Sequence, residues 1–144
     1  MKSQNYKNHV RMVPAFHFFL VPLGFITLIA SIIHLLVVEQ RGISLFSSLL
    51  FVSVSLMAVT TMIFARRFAC KVQDRAIRAE ENLRSFALTG KLLDPRLTMN
   101  QILALRFAPD EEWMVLCDKA VKESLTPESI KQSIKAWKAD LERV

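Results

Sequence analysis

Asp, Glu, Lys and Arg are absent from Ala15 to Val38 and again from Leu45 to Ala65. Each run matches the roughly 20 residues that cross a bilayer as helix, which argues against one soluble core spread evenly along the chain. Strand signals are also scarce: no alternating run bounded by turn residues follows the second apolar stretch. The two cysteines, Cys70 and Cys117, have no CxxC spacing and read as free thiols rather than a metal or disulfide framework. A phosphate loop is lacking as well. "TGKLL" at Thr89–Leu93 has Ser85 where the first loop glycine belongs and Leu92 where the magnesium-binding hydroxyl belongs, and it follows a helix rather than a strand.

What is present is an all-α membrane pattern. A tail of residues 1–13 precedes a two-helix transmembrane hairpin over 14–65, with spans at about 15–38 and 45–65, and a cytoplasmic helical region fills 66–144. Lys2, Lys7 and Arg11 resemble the charged start of a secretory signal, but the apolar run is too long and no small-x-small site ends it. The net charge of +6 is concentrated beside the spans: residues 66–90 carry six bases against three acids, whereas residues 91–144 are balanced. Positive-inside bias then puts both termini in the cytoplasm and the connector "EQRGIS" outside. The same bases suit anionic headgroups of the lipid bilayer. No nucleic-acid partner is expected, because no basic face falls on the distal region.

The first span starts at Pro14 and is expected to bend at Pro22, which lacks an amide hydrogen. His17, Gly24, Thr27, Ser31 and His34 share one face of it, and Ser48, Ser55, Ala58 and Ala65 form a small-residue stripe on the second. Two such faces meeting is ordinary packing between membrane helices. The alternative is a proton path or ligand site using His17, Thr27, Ser31 and His34.

No breaker occurs between Ala65 and Gly90, so the second span should continue as a cytoplasmic arm capped by Gly90. Val72, Ala76, Ala79, Leu83 and Phe86 recur at heptad spacing, a seam expected to pack on the chain's own C-terminal helices, with dimerisation as the alternative. Asp74 with Arg78 and Glu80 with Arg84 are acid-before-base pairs four apart. Three short helices should follow. Thr98 with Gln101 makes a capping box for the first, Pro109 and the acids Asp110–Glu112 begin the second, and Thr126–Pro127–Glu128 begins the third. The third reads as amphipathic through Ile130, Ile134, Trp137 and Leu141, better suited to packing than to lying on a membrane surface.

"QNYKNHVRMVP", "VQDRAIRAEENLRSFALTGKLLDPRLT", "ILALRFAPDEE" and "IKQSIKAWKADLERV" together resemble a family of small bacterial inner-membrane proteins of unknown function, over most of the chain. The resemblance implies a helical, two-span inner-membrane protein and carries no activity with it. Within the matching motifs Gln73, Asp74, Arg75, Arg78, Glu80, Glu81, Arg84, Lys91, Asp94 and Arg96 are the polar positions singled out as a docking surface; the alternative is that they staple the arm to the tail. The expectation is a non-enzymatic interaction, scaffold or accessory protein that needs no cofactor or metal, with a homo-oligomer or another membrane protein as partner. The alternatives are a small transport or ion-conducting subunit and, more weakly, a membrane-surface enzyme.

Overall fold

The computed structural model describes residues 4–6, 8, 12–37 and 45–140. Among them the chain is all helical: α1 (Ala15–Val37), α2 (Leu45–Thr89), α3 (Met99–Leu105), α4 (Asp110–Lys122) and α5 (Pro127–Ser133). The connector "EQRGIS" and Leu141 lie outside the described residues. Two compact units divide the chain, one of Met12–Ala69 and one combining Cys70–Val144 with Met1–Arg11.

In the first unit, α1 and the opening half of α2 are long and apolar enough to cross a membrane. Pro22 acts one step earlier than a simple kink would. Residues Ala15–Leu20 wind as π-helix, and the Val21 amide donates to Phe16 O. Proline cannot donate to the carbonyl four residues back and its ring crowds that carbonyl, so a widened turn ahead of it relieves the conflict. The two helices pack antiparallel through small and polar side chains. Ser31 Oγ lies 3.0 Å from Ser55 Oγ, His34 Nδ1 lies 3.1 Å from Ser48 Oγ, and a Cβ on Gly24 would stand 3.5 Å from Val59 Cγ2.

The second unit contains the rest of α2, which runs without a break to Thr89. Gly90 ends it with φ +71°, and its amide donates to Phe86 O at 2.8 Å. This is the left-handed cap that glycine adopts without steric conflict. The capping box forms before α3, with Thr98 N donating to Gln101 Oε1 at 2.8 Å and Gln101 N donating to Thr98 Oγ1 at 3.3 Å. Thr126 Oγ1 accepts from Ser129 N at the start of α5. Ile102, Leu105, Phe107, Trp113, Leu116 and Ile130 form the core of α3, α4 and α5.

Two expectations change here. The seam Val72, Ala76, Ala79, Leu83 and Phe86 does not meet the C-terminal helices; all five residues are exposed, and α2 buries Ile77, Glu81 and Ser85 instead. The amphipathic helix also stops at Ser133, because Ile134 turns to extended backbone. Glu112 receives the amides of Lys135 at 2.9 Å and Ala136 at 3.1 Å, and Lys138 N donates to Phe107 O at 2.8 Å. These bonds replace the helical ones that residues 135–138 would otherwise make. Trp137 still reaches the core, with its ring 5.0 Å from that of Phe107.

Gly90→Ala should destabilise the unit by about 1 kcal/mol, with Gly90→Asn milder. Nothing lies within 4 Å of a Cβ there, so the whole effect is conformational. Thermal unfolding followed by tryptophan fluorescence checks this, since both tryptophans, Trp113 and Trp137, belong to this unit.

Candidate functional site

The polar residues of the arm converge where α2 meets the start of α4. Glu81 and Arg84 share a face of α2 one turn apart, and the α3–α4 turn brings Ala108, Asp110 and Trp113 against them. Trp113 Nε1 donates to Glu81 Oε2 at 2.7 Å. Arg84 spreads its guanidinium over three acceptors, with Nε 2.7 Å from Asp110 Oδ1, Nη2 2.7 Å from Ala108 O, and Nη1 3.4 Å from Glu81 Oε2. Its Cζ also lies 5.2 Å from the Trp113 ring centroid, which adds attraction between cation and ring face. A planar fork suits this multiple engagement; a lysine ammonium could not reproduce it.

Glu81 is 7% exposed and Trp113 2%. Burial pushes the Glu81 carboxyl above its ordinary value, against the opposing pull of Arg84 and of the Trp113 hydrogen bond. Desolvation therefore outweighs the charge partner at this position.

The segment after Gly90 is tied back to the arm. Ser85 Oγ donates to Lys91 O at 2.8 Å, Lys91 N donates to Thr89 Oγ1 at 3.2 Å, and Leu93 N donates to Asn82 Oδ1 at 3.2 Å. Asp94 holds Arg96 through Nη2 at 2.7 Å, and those hydrogen bonds lower the Asp94 carboxyl to about 2. Between this segment and α4 lies a half-open cleft of about 400 Å³, bordered by Ser85, Lys91, Asp94, Trp113, Cys117 and Asp118. Burial, reinforced by the Glu81 charge, pushes the Cys117 thiol up to about 12, so it is protonated and unreactive at neutral pH. No group of three or more His, Cys, Asp or Glu among the described residues is arranged to hold a metal.

The structure divides the residues named from sequence. Glu81 and Arg84 join one buried cluster, so they are not surface groups, and Arg84 turns to Glu81, Asp110 and Ala108 rather than to Glu80. Lys91 and Asp94 border the cleft, beside Arg96. Arg75, Arg78 and Glu80 are exposed on α2, and Gln73 and Asp74 are half-buried. On α1, Ser31 and His34 meet α2, whereas Thr27 Oγ1 donates to Leu23 O and His17 Nδ1 lies 3.1 Å from the Val13 amide. Ser31 Oγ is also 2.8 Å from Thr27 O, a geometry in which Ser31 donates there and accepts from Ser55.

Sequence reasoning missed Trp113, Asn82 and Ser85, and it assigned Asp110 and Glu112 only to the start of a helix. Their partners lie 11 to 32 positions away or, for Ser85, in the turn after Gly90. No helical periodicity connects positions that far apart. The one local hint is that Glu81, Arg84 and Ser85 share a side of α2 opposite the apolar seam.

Glu81→Leu leaves the buried Trp113 indole N–H without its acceptor and should destabilise the unit by about 1–3 kcal/mol; Glu81→Gln, which keeps an acceptor oxygen, should be clearly milder. Because the folded-state value of Glu81 is raised, its contribution is present below the ordinary value of 4.5 and is lost as pH rises through the folded value. Relative to wild type, Glu81→Gln should therefore gain stability as pH rises from about 4 towards neutrality. Asp94 has the opposite sign: its stabilisation is present above its ordinary 3.8 and is lost as pH falls towards about 2. Unfolding profiles of wild type, Glu81→Gln and Asp94→Asn across this range separate the two.

No curated protein and no solved structure matches the chain. A family match extends over residues 1–144, and the chain therefore belongs to the family of unknown function DUF6526.

Proposed function

We propose that this is a non-enzymatic, membrane-anchored interaction or scaffold protein. In this reading α1 and the first half of α2 cross a bacterial inner membrane with both termini in the cytoplasm, and residues 70–144 form a helical docking unit. The observation that carries the anchor is an inverted distribution of polarity. Where α1 and α2 meet, Ser31, Ser48 and Ser55 are buried, while Phe18, Phe19, Leu36, Phe46 and Met57 on the same helices are more than half exposed. A helix pair in water does the reverse; hydroxyls inside and large apolar groups outside suit hydrocarbon. Arg66, Arg67 and Lys71 directly after the second apolar run support the orientation.

A scaffold role draws support from the second unit, in which Glu81, Arg84, Asp110 and Trp113 are engaged with one another. Glu81 and Arg84 bind α4 and the turn before it, and the cleft beside them presents a protonated thiol rather than an activated nucleophile. The transport reading would need His17, Thr27, Ser31 and His34 to serve a solute path. Pairing of Ser31 with Ser55 and of His34 with Ser48 supports helix packing in its place.

The full chain should stay in the membrane fraction through an alkaline carbonate wash and leave it only with detergent. A C-terminal green fluorescent protein should fluoresce, while a C-terminal alkaline phosphatase should be inactive. In mild detergent the chain should purify as an oligomer or with a stoichiometric partner. Release by carbonate would overturn the anchor, and recovery of monomer alone would overturn the scaffold role.

A further inference from the structure

The surface left over on the arm has the character of an interface. Val72, Leu83 and Phe86 are 67%, 70% and 56% exposed, and Ala76 and Ala79 between them are exposed as well. At 100° per residue these five side chains fall in one stripe of α2, roughly opposite the stripe of Ile77, Glu81, Arg84 and Ser85, where Trp113 and Asp110 of α4, Ala108 of the turn before it and Lys91 after Gly90 make their contacts. The chain's own tail thus occupies the far side of the helix and leaves the seam open.

Assigning the seam to heptad positions puts Ala76 and Leu83 at a, and Val72, Ala79 and Phe86 at d. Arg75 then falls at g and Glu80 at e of the following heptad, and both are exposed. In a parallel pair of identical helices, a g residue faces the partner's e residue five positions further on. Arg75 of each copy therefore meets Glu80 of the other, and symmetry makes the contact twice. In an antiparallel pair g faces g and e faces e, so Arg75 of one copy would lie opposite Asn82 of the other and could not meet Glu80. The charge pattern complements a second copy in the parallel orientation and offers no such ion pair in the antiparallel one.

We infer that the exposed seam Val72–Phe86 is a parallel self-association surface, occupied by the same seam of a second copy of this chain, with reciprocal Arg75–Glu80 contacts fixing register. This rests on the membrane-anchored reading above. Anchors in one membrane hold two arms parallel and raise their effective concentration, which two heptads rich in alanine need in order to associate.

Cysteine crosslinking in native membranes tests it, using the full chain with Cys70→Ser and Cys117→Ser as background. Ala79→Cys should give a disulfide-linked homodimer under mild oxidation, whereas Arg78→Cys, exposed on the same helix but off the seam, should give at least several-fold less. Arg75→Glu or Glu80→Arg, each added to Ala79→Cys, should cut the dimer several-fold, and the double exchange Arg75→Glu with Glu80→Arg should restore it. Equal crosslinking at positions 78 and 79, no restoration by the double exchange, or a crosslink only to a protein of another size would overturn self-association even with the chain in the membrane fraction. Release of the chain by carbonate would overturn the anchored reading itself, and the membrane-held parallel pair with it.

Discussion

Burial of the Glu81 carboxyl against Trp113 and Arg84 is the constraint on which the second unit is organised. A desolvated carboxylate is tolerable only with a cation and hydrogen-bond donors in place, and here they come from different parts of the sequence. Trp113 must enter from α4, so the start of α4 has to lie along α2. Arg84 must reach past Glu81 to Ala108 O and Asp110, which fixes the turn between α3 and α4. A slip of one helical turn would strand a buried charge as well as an indole N–H. Apolar contacts supply most of the driving force around this cluster, but they are compatible with several registers; the polar cluster favours one.

One continuous helix serves several environments by dividing its circumference and its length. Early in α2, Ser48 and Ser55 face α1 while large apolar groups point away. Late in α2, a polar side faces the chain's own tail while an apolar seam points away. In both halves small or polar groups of α2 take part in the contacts within the chain, and large apolar groups point outward. Hydrocarbon accounts for this in the first half under the anchored reading. In the second half the outward stripe is narrow, heptad-spaced and bordered by charges of both signs, a pattern of helix partners rather than of lipid.

Much of the architecture was legible locally. The uncharged runs marked α1 and the start of α2, the lack of any breaker before Gly90 predicted the arm, and Thr98–Gln101 and Thr126 marked helix starts that the structure contains. These signals depend on residues within about one helical turn of each other, so the sequence carries them in full. Pro22 was visible too, although its effect is a π-helical turn preceding it.

The sequence by itself determined which segments are helical, where most of them begin, and that two are long and apolar enough to cross a membrane, because propensity, capping and uncharged length are local properties. Only the tertiary structure decided which side of the arm is covered, since Glu81 and Arg84 gain their partners from residues 24 to 32 positions away. It also decided where the last helix stops, because the Glu112 carboxylate captures the amides of Lys135 and Ala136 from a neighbouring element. Hydrophobic periodicity marks an apolar stripe but does not say what covers it, and on this arm a buried charged cluster holds the chain's own tail on the opposite side.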